Sequence, residues 1–257
     1  MDKQKELGKK IRYFRERVRL SQFDLEMELD ASPGSISRIE NGRVNPTKET
    51  LVKIAASLKL NDRESSYLYG DLAEAATPKE IEKIIAQCRE YLTKKGVLAY
   101  IVDDRNRLID VSDDFFRFLG IPKEIKPSIV SRPFIEIIFD PKIGVLASLD
   151  EKERYETLYN YLERLYADMG FMVDDLYYGK IIQFIKDNPL ATQIWQKVVK
   201  EHVANLQPLV KRRVVFKVGG ISIPLHYSDE QILNNRRFEM VEYSPTSKLI
   251  RFLTNIL

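Results

Sequence analysis

Short apolar stripes at helical spacing follow one another through the first part of the chain. The first stripe, Leu7, Ile11, Phe14 and Val18, predicts an amphipathic helix. The opposite face of this helix carries a run of cations: Lys9, Lys10, Arg12, Arg15 and Arg19. This division between an apolar face and a charged face is typical of a helix that packs on the core of a globular domain.

Cap signals predict the two helices that come next. Ser21 begins the second helix, with Asp24 as the partner of a capping box. Ser32 is in a position to cap the third helix, and Pro33 then lies in its first turn, where a missing amide proton does no harm. Gly42 ends this third helix.

Two more helices complete the first domain. A fourth helix follows residues 45–46, which read Asn-Pro, and a shorter fifth helix spans residues 62–69. Together the five short helices predict a compact all-α domain over residues 1–70.

Residues 71–96 are predicted to be a linker and a connecting helix. The segment 77–80 reads Thr-Pro-Lys-Glu, a capping box with proline at the first helical position. One stripe of the helix is apolar, formed by Ile81, Ile84, Ile85, Cys88 and Leu92. We expect this stripe to be buried either against the preceding helical domain or against the same helix of a second subunit.

After residue 96 the pattern changes from helical to strand-like. Residues 97–102 and 107–111 are apolar extended segments around a turn, which predicts a hairpin. A helix capped by Ser112 and closed by Gly120 follows it. The stretch 133–210 is mostly helical in pattern.

The last part of the chain again reads as strands. Residues 213–218 and 221–225 flank a Gly-Gly turn, residues 238–243 are a strand candidate, and a terminal helix follows. The predicted fold class is therefore α+β. An all-α five-helix domain and a connecting helix precede a domain over residues 97–257, which has a small antiparallel sheet and a long helical insertion.

Composition narrows the choice of protein class. No apolar run reaches the roughly 18 residues that a membrane span requires, and residues 1–10 are too charged for a secretory signal. We therefore expect a cytoplasmic protein that does not bind membranes. The single cysteine, Cys88, cannot form an intrachain disulfide, and with only His202 and His226 there is no cluster with zinc spacing.

Enzymatic activity has little support in the sequence. The neighbouring carboxylates at 113–114 and 174–175 diverge by about 100° on a helix, and such pairs usually face solvent. The sequence contains no nucleophile elbow, phosphate loop or metal triad. We predict that the protein is not an enzyme and requires no cofactor.

The charge is distributed unevenly along the chain. Residues 1–60 contain 13 Lys and Arg against 9 Asp and Glu, a net charge of +4, whereas the remaining residues carry −1 of the total of +3. A local positive excess suits a polyanionic partner, although it is weak support by itself.

Residues 20–46, with the run Ile-Ser-Arg-Ile-Glu-Asn-Gly at 36–42, resemble the helix-turn-helix of phage repressors and of the XRE family. The resemblance implies a recognition helix in the major groove of double-stranded DNA. It implies that the helix starts at Ser21-Gln22 and at Ser32 bind phosphates. The residues that it places on the DNA are Gln22, Ser32, Pro33, Gly34, Ser37, Arg38 and Arg43.

These positions are predicted to have different roles. Arg38 is the best candidate for direct base reading, because a guanidinium can bond guanine at two acceptors. Pro33 and Gly34 offer no side-chain hydrogen bonds, so specificity is expected to depend on Arg38, Ser37, Gln22 and DNA shape. Arg43 is expected to contact phosphate. Glu40 and Asn41 are expected to close the helix.

The second domain resembles a sensor domain. Residues 99–120 are similar to the opening of a PAS domain, and residues 134–141 and 238–247 resemble the PAS-like MmyB-type ligand-binding domain. The resemblance implies a cavity for a fatty acid or a similar apolar molecule. The candidate lining residues, each of which is individually more typical of plain core, are Phe115, Phe118, Phe134, Ile138 and Trp195.

The combined prediction is a sequence-specific DNA-binding transcriptional regulator. We expect it to be a homodimer, because operators with two-fold symmetry favour proteins with two-fold symmetry. The C-terminal domain would sense a small apolar ligand or a partner. The alternative is a protein-interaction module, antitoxin-like or an adaptor, in which DNA binding is secondary.

Overall fold

The computed structural model describes residues 3–72, 74–147, 149–204, 213–218, 220–232, 235 and 237–246. The chain divides into two compact units, residues 1–74 and residues 75–257. No helix among the described residues is both long enough and apolar enough to cross a bilayer.

The described part of the first unit is all helical, as predicted. Its helices are α1 (Lys3–Arg17), α2 (Gln22–Glu28), α3 (Ser35–Glu40), α4 (Lys48–Ser57) and α5 (Asp62–Tyr69). The predicted capping box of Ser21 and Asp24 at the start of α2 is confirmed. The core forms from apolar side chains that are fully or almost fully buried: Ile11, Phe14, Leu25, Ile36, Ile54, Leu58 and Leu68.

The start of α3 differs from the prediction. The residue before the helix is Gly34, in the left-handed conformation at φ 76°, so the prediction that Ser32 caps α3 with Pro33 in its first turn is wrong. The buried carboxylate of Glu26 on α2 accepts hydrogen bonds from the amides of Gly34, at 3.1 Å, and Ile36, at 2.9 Å. A side chain from the neighbouring helix therefore supplies the cap.

The second unit begins with α6 (Pro78–Leu92) and a hairpin of β1 (Leu98–Asp103) and β2 (Leu108–Val111). Shorter helices follow: α7 (Asp113–Leu119), a 3-10 turn (Lys123–Ile125), α8 (Lys126–Ile129) and α9 (Phe134–Phe139). Three long helices come next, α10 (Glu151–Met169), α11 (Leu176–Lys186) and α12 (Pro189–Ala204). The last strands are β3 (Arg213–Val218), β4 (Ile221–Gln231) and β5 (Phe238–Pro245).

The five strands form one antiparallel sheet in the order β2-β1-β5-β4-β3. The prediction of a mixed α+β chain with a small antiparallel sheet is confirmed. Strand β1 joins the first hairpin to β5, and all six of its residues are buried. Gly219, the side chain of His202 and the predicted terminal helix lie outside the described residues.

The apolar stripe of α6 is buried against the sheet of its own unit. Ile84, Cys88 and Leu92 belong to one cluster with Ala99 and Ile101 of β1. The prediction named two other partners, the helical domain and a second copy of α6, whereas the surface that packs on these three residues is the sheet. Burial raises the pKa of the Cys88 thiol, which is consistent with a packing role.

The hairpin turn after β1 is charged and yet buried. Residues 103–107 read Asp-Asp-Arg-Asn-Arg, and each is less than a tenth exposed. Arg105 bonds Asp175 at the start of α11, and Arg107 bonds Asp103. Ion pairs and hydrogen bonds therefore replace the water that a turn of this composition would normally contact.

The capping of α3 leads to a testable comparison. Glu26→Ala leaves two amides without their acceptor, and we expect a loss of about 1–3 kcal/mol in the free energy of unfolding of the first unit. Ser32→Ala is the matched control, because the Ser32 side chain caps no helix, and we expect it to be close to neutral. Hydrogen exchange of the α3 amides, followed in the full chain, measures the loss of stability in both variants. A larger loss for Ser32→Ala than for Glu26→Ala would contradict this assignment.

Candidate functional site

A buried carboxylate fixes α3 to the other helices of the first unit. The Glu40 side chain is completely buried, and its oxygens accept from Arg15 Nε at 2.6 Å and Arg15 Nη2 at 3.0 Å. Gln22 Nε2 donates to it at 2.7 Å and Arg12 Nε at 3.3 Å. These four residues, the Glu40 cluster, join α1, the first residue of α2 and the last residue of α3.

The electrostatics of the Glu40 cluster favour the charged form of the carboxyl. Burial by itself would raise the pKa of Glu40, but hydrogen bonds from Arg15, Gln22 and Arg12 and the charge of Arg15 outweigh that effect and lower the pKa. A two-point contact between guanidinium and carboxylate also fixes the orientation of α3. Glu40 therefore has a structural role, as predicted, but it positions the whole helix rather than only closing it.

Close backbone contact adds a second constraint on α3. A Cβ atom on Gly8 of α1 would lie 2.7 Å from the carbonyl oxygen of Ile39 and would also overlap the Glu40 carbonyl. Only glycine permits this approach of α1 to the end of α3. At the same end, the Asn41 amide donates to the Ser37 carbonyl at 2.8 Å, which confirms its predicted role in closing the helix.

The opposite face of α3 is open to solvent. Arg38 is exposed, and its Nη1 atom lies 3.5 Å from the place that a Cβ on Gly34 would occupy, so the side chain extends back over the start of the helix. Arg43 is exposed, and its amide donates to the Arg38 carbonyl at 2.8 Å. Ser37 is half-buried on the same helix.

The remaining predicted residues occupy two kinds of position. Ser32 and Pro33 are exposed in the turn before α3. Gln22 is half-buried and donates its amide to Glu40, so it supports the helix from within. The amides of Gly34 and Ile36 already donate to Glu26, so these two amides are not available for the phosphate contact expected at this helix start.

The cationic face predicted for α1 is divided by the structure. Lys10 is buried, with its Nζ 3.1 Å from the Tyr67 carbonyl oxygen, and Arg15 is buried on Glu40. Arg12 is partly exposed and donates to Asn41 at 3.3 Å, so it lies beside the end of α3. Lys5, which the sequence analysis did not single out, is exposed and lies against Gly42. Lys5 could have been recognised as a candidate only from its contact with Gly42, which follows a different helix.

Comparison with known proteins agrees with this geometry. The family model described as helix-turn-helix matches residues 11–64. This segment is a helix-turn-helix domain. It extends from within α1 to within α5 and includes all four residues of the Glu40 cluster. No curated protein matches the chain.

Outside the helix-turn-helix domain, the second unit contains a cavity of about 180 Å³ between the sheet and its helices. Phe115, Phe134 and Ile138 line it, whereas Phe118 and Trp195 do not. Phe118 packs behind Phe115 with 6.4 Å between ring centroids, and Trp195 packs on a tyrosine of α10. The prediction for these two residues is therefore corrected: Phe118 is a core residue, and Trp195 is half-buried against α10.

The polar lining of this cavity was not predicted. Tyr100, Tyr227 and Tyr243 reach it from β1, β4 and β5, and Tyr161 and Arg164 reach it from α10. Burial raises the pKa of Tyr227 to about 12, so its hydroxyl is neutral and can donate a hydrogen bond at neutral pH. No local pattern brings these residues together, because the strands come from separate parts of the chain.

The Glu40 cluster gives the helix-turn-helix domain a specific pH dependence. Because the pKa of Glu40 is below its ordinary value of 4.5, the stability from this group is present above pH 4.5 and is lost as the pH falls through the folded value. The protection of the α3 amides, which is their exchange rate relative to the intrinsic rate at the same pH, should therefore fall in acid. Glu40→Gln should lose about 3 kcal/mol at neutral pH, because it leaves the buried Arg15 with only the exposed Glu16, 3.6 Å away, as a counter-charge. An unchanged exchange rate in this variant would contradict the role of Glu40.

Proposed function

We propose that the protein is a cytoplasmic, XRE-type, sequence-specific DNA-binding transcriptional regulator whose α3 enters the major groove. The observation that carries the proposal is the position of Arg38. It is exposed on the outer face of a helix whose inner face is fixed by the Glu40 cluster. The proposal needs neither a catalytic group nor a cofactor.

The shape of the site supports insertion into a groove. The major groove of B-DNA is about 12 Å wide and admits an α-helix with short side chains. Pro33, Gly34 and Ser37 are small, so they let the backbone of α3 approach the base edges. The guanidinium of Arg38 can then bond the O6 and N7 acceptors of guanine.

Cations around α3 are suited to the DNA backbone. Arg43 lies three residues after the end of the helix, and Lys5 and Arg12 lie beside that end. Phosphate contacts of this kind set the position of a protein on the duplex but carry no sequence information. We assign base reading to Arg38 and Ser37, with a contribution from DNA shape.

Two substitutions separate these roles. On a duplex selected from random sequence, Arg38→Ala should weaken binding by about 1–3 kcal/mol and relax the preference at one base pair. Arg43→Ala should weaken binding to every duplex similarly and reduce its salt dependence. Fluorescence anisotropy over a salt series measures both effects. Lys95→Ala in the second unit, where Lys95 is exposed, controls for the loss of one charge.

An equal loss on all sequences for Arg38→Ala would show a phosphate contact instead of base reading. Normal affinity and normal sequence preference in Arg38→Ala would reject the proposed role of α3.

We also propose that the regulator acts as a homodimer. The support is the symmetry argument, since a two-fold operator presents equal half-sites to two equal recognition helices. We do not place the interface on the stripe of α6, because Ile84 and Cys88 are already buried against the sheet of their own unit. Light scattering of the full chain, alone and on its operator, tests the stoichiometry.

The second unit is proposed to bind a small apolar ligand. Its cavity has aromatic walls, including Phe115 and Phe134, and a few polar groups, which is the usual composition of a ligand pocket. The lining is also connected to the start of the unit: Tyr161 donates to Asn106 at 2.6 Å, and the adjacent Arg107 donates to the Ala76 carbonyl at 3.1 Å. A ligand that moves Tyr161 would thereby act on the segment that follows the helix-turn-helix domain.

Native mass spectrometry of the full chain tests whether the cavity retains a small molecule. We expect the unmodified chain to retain one and Thr157→Trp, which adds volume to the half-buried lining, to lose it. Glu156→Trp on the exposed face of the same helix is the matched control. Equal retention by both variants would place the ligand elsewhere.

One observation favours a protein-interaction module as the alternative function. Phe23 and Met27, one turn apart on α2, are 64% and 66% exposed, which is unusual for large apolar side chains on a small domain. Under this alternative, Phe23→Ser should abolish function in cells while Arg38→Ala has no effect. The proposed regulator predicts that Arg38→Ala abolishes it.

A further inference from the structure

We infer that the cavity of the second unit selects a neutral amphiphile, with a hydroxyl or carbonyl group on an apolar body, over a fatty acid carboxylate. This inference rests on the proposed ligand-binding function and specifies the chemical class of the ligand.

The first step concerns the charge of the cavity wall. Arg164 is the only charged side chain among the described residues that line the cavity. A carboxylate buried in apolar surroundings is costly unless a cation pairs with it. An anionic ligand would therefore depend on Arg164.

The second step is that Arg164 already has counter-charges from the protein. Its Nη2 lies 2.9 Å from Glu239 Oε2 and 3.6 Å from Asp229 Oδ2, and its Nε lies 3.4 Å from Asp168 Oδ2. Burial by itself would lower the pKa of Arg164, but the charges of these carboxylates outweigh it and raise the pKa. Because these carboxylates already compensate the charge of Arg164, it offers little attraction to a further carboxylate.

The third step concerns the groups that remain for a polar ligand atom. Thr157, Asn160 and Tyr227 line the cavity, and none of their side chains has a hydrogen-bond partner within the part of the chain that is described. All three are neutral, and both donors and acceptors are represented. They match a hydroxyl or a carbonyl, which can satisfy such groups without bringing a charge.

The apolar part of the lining determines the chemistry of the remainder of the ligand. Aromatic and branched aliphatic side chains, among them Phe115, Ile129 and Phe134, form most of the wall. An aliphatic chain or a fused ring system would bury its surface there, and this burial favours binding equally for a neutral and for a charged head group. The difference in affinity between two ligands with the same apolar body therefore depends on the head group alone.

The test compares two probes with the same chain, decanol and decanoate, on the full-length protein at neutral pH. Isothermal titration calorimetry gives both affinities. We expect decanol to bind at least about tenfold more tightly, a difference of about 1.4 kcal/mol. Tighter binding of decanoate would overturn the inference and leave a ligand-binding cavity in place. Binding of neither probe, together with no molecule retained in native mass spectrometry, would overturn the proposed ligand-binding function as well.

A pair of variants on one strand tests the physical cause. Glu239→Gln removes one carboxylate from Arg164, and we expect the preference for decanol to fall several-fold because decanoate gains affinity. Glu242→Gln is the matched control, because Glu242 faces α6 and accepts from Tyr91 at 2.6 Å. An unchanged preference in Glu239→Gln, in a protein that still binds decanol, would show that the carboxylates around Arg164 do not set the selectivity.

Discussion

The buried carboxylate of Glu40 is the interaction on which the functional surface depends. Helix α3 has only six residues, far below the roughly 12–15 that an isolated helix needs in water. Its existence therefore depends on tertiary contacts: the Glu40 cluster at its end, the Glu26 carboxylate at its start, and the close approach of Gly8. All of these contacts act on the inner side of the helix. None of these three contacts uses the outer side, which is therefore available for recognition.

The arginines of this protein differ in whether carboxylates of the same chain compensate their charge. Arg15 and Arg164 are enclosed and paired with carboxylates, so they organise the interior. Arg38 has no ion pair or hydrogen bond from its side chain within the described residues, and it is exposed. An uncompensated cation on a rigid helix suits a polyanion, whereas a compensated one in a cavity suits a neutral ligand. The same residue type thus points to two different ligand chemistries.

Local signals explain what could be predicted from the sequence. The capping boxes at Ser21 and Thr77 and the closing glycine at 120 involve residues within four positions of each other, so each could be read directly. The cap of α3 could not, because Glu26 reaches it from another helix and Ser32 looked suitable locally. Periodicity likewise showed that one face of α6 is buried, but not which surface covers it. The polar lining of the cavity could not be predicted from local signals either, since Arg164 contacts its carboxylates only once the sheet and α10 have packed.

The most direct test of the account is photo-crosslinking of the full-length protein to its selected duplex. A benzoylphenylalanine placed at position 37 on the outer face of α3 should crosslink to DNA in high yield. The same group at position 27, on the exposed face of α2, should crosslink weakly or not at all. Strong crosslinking from position 27 with none from position 37 would contradict the central claim that the Glu40 cluster presents α3 to the DNA.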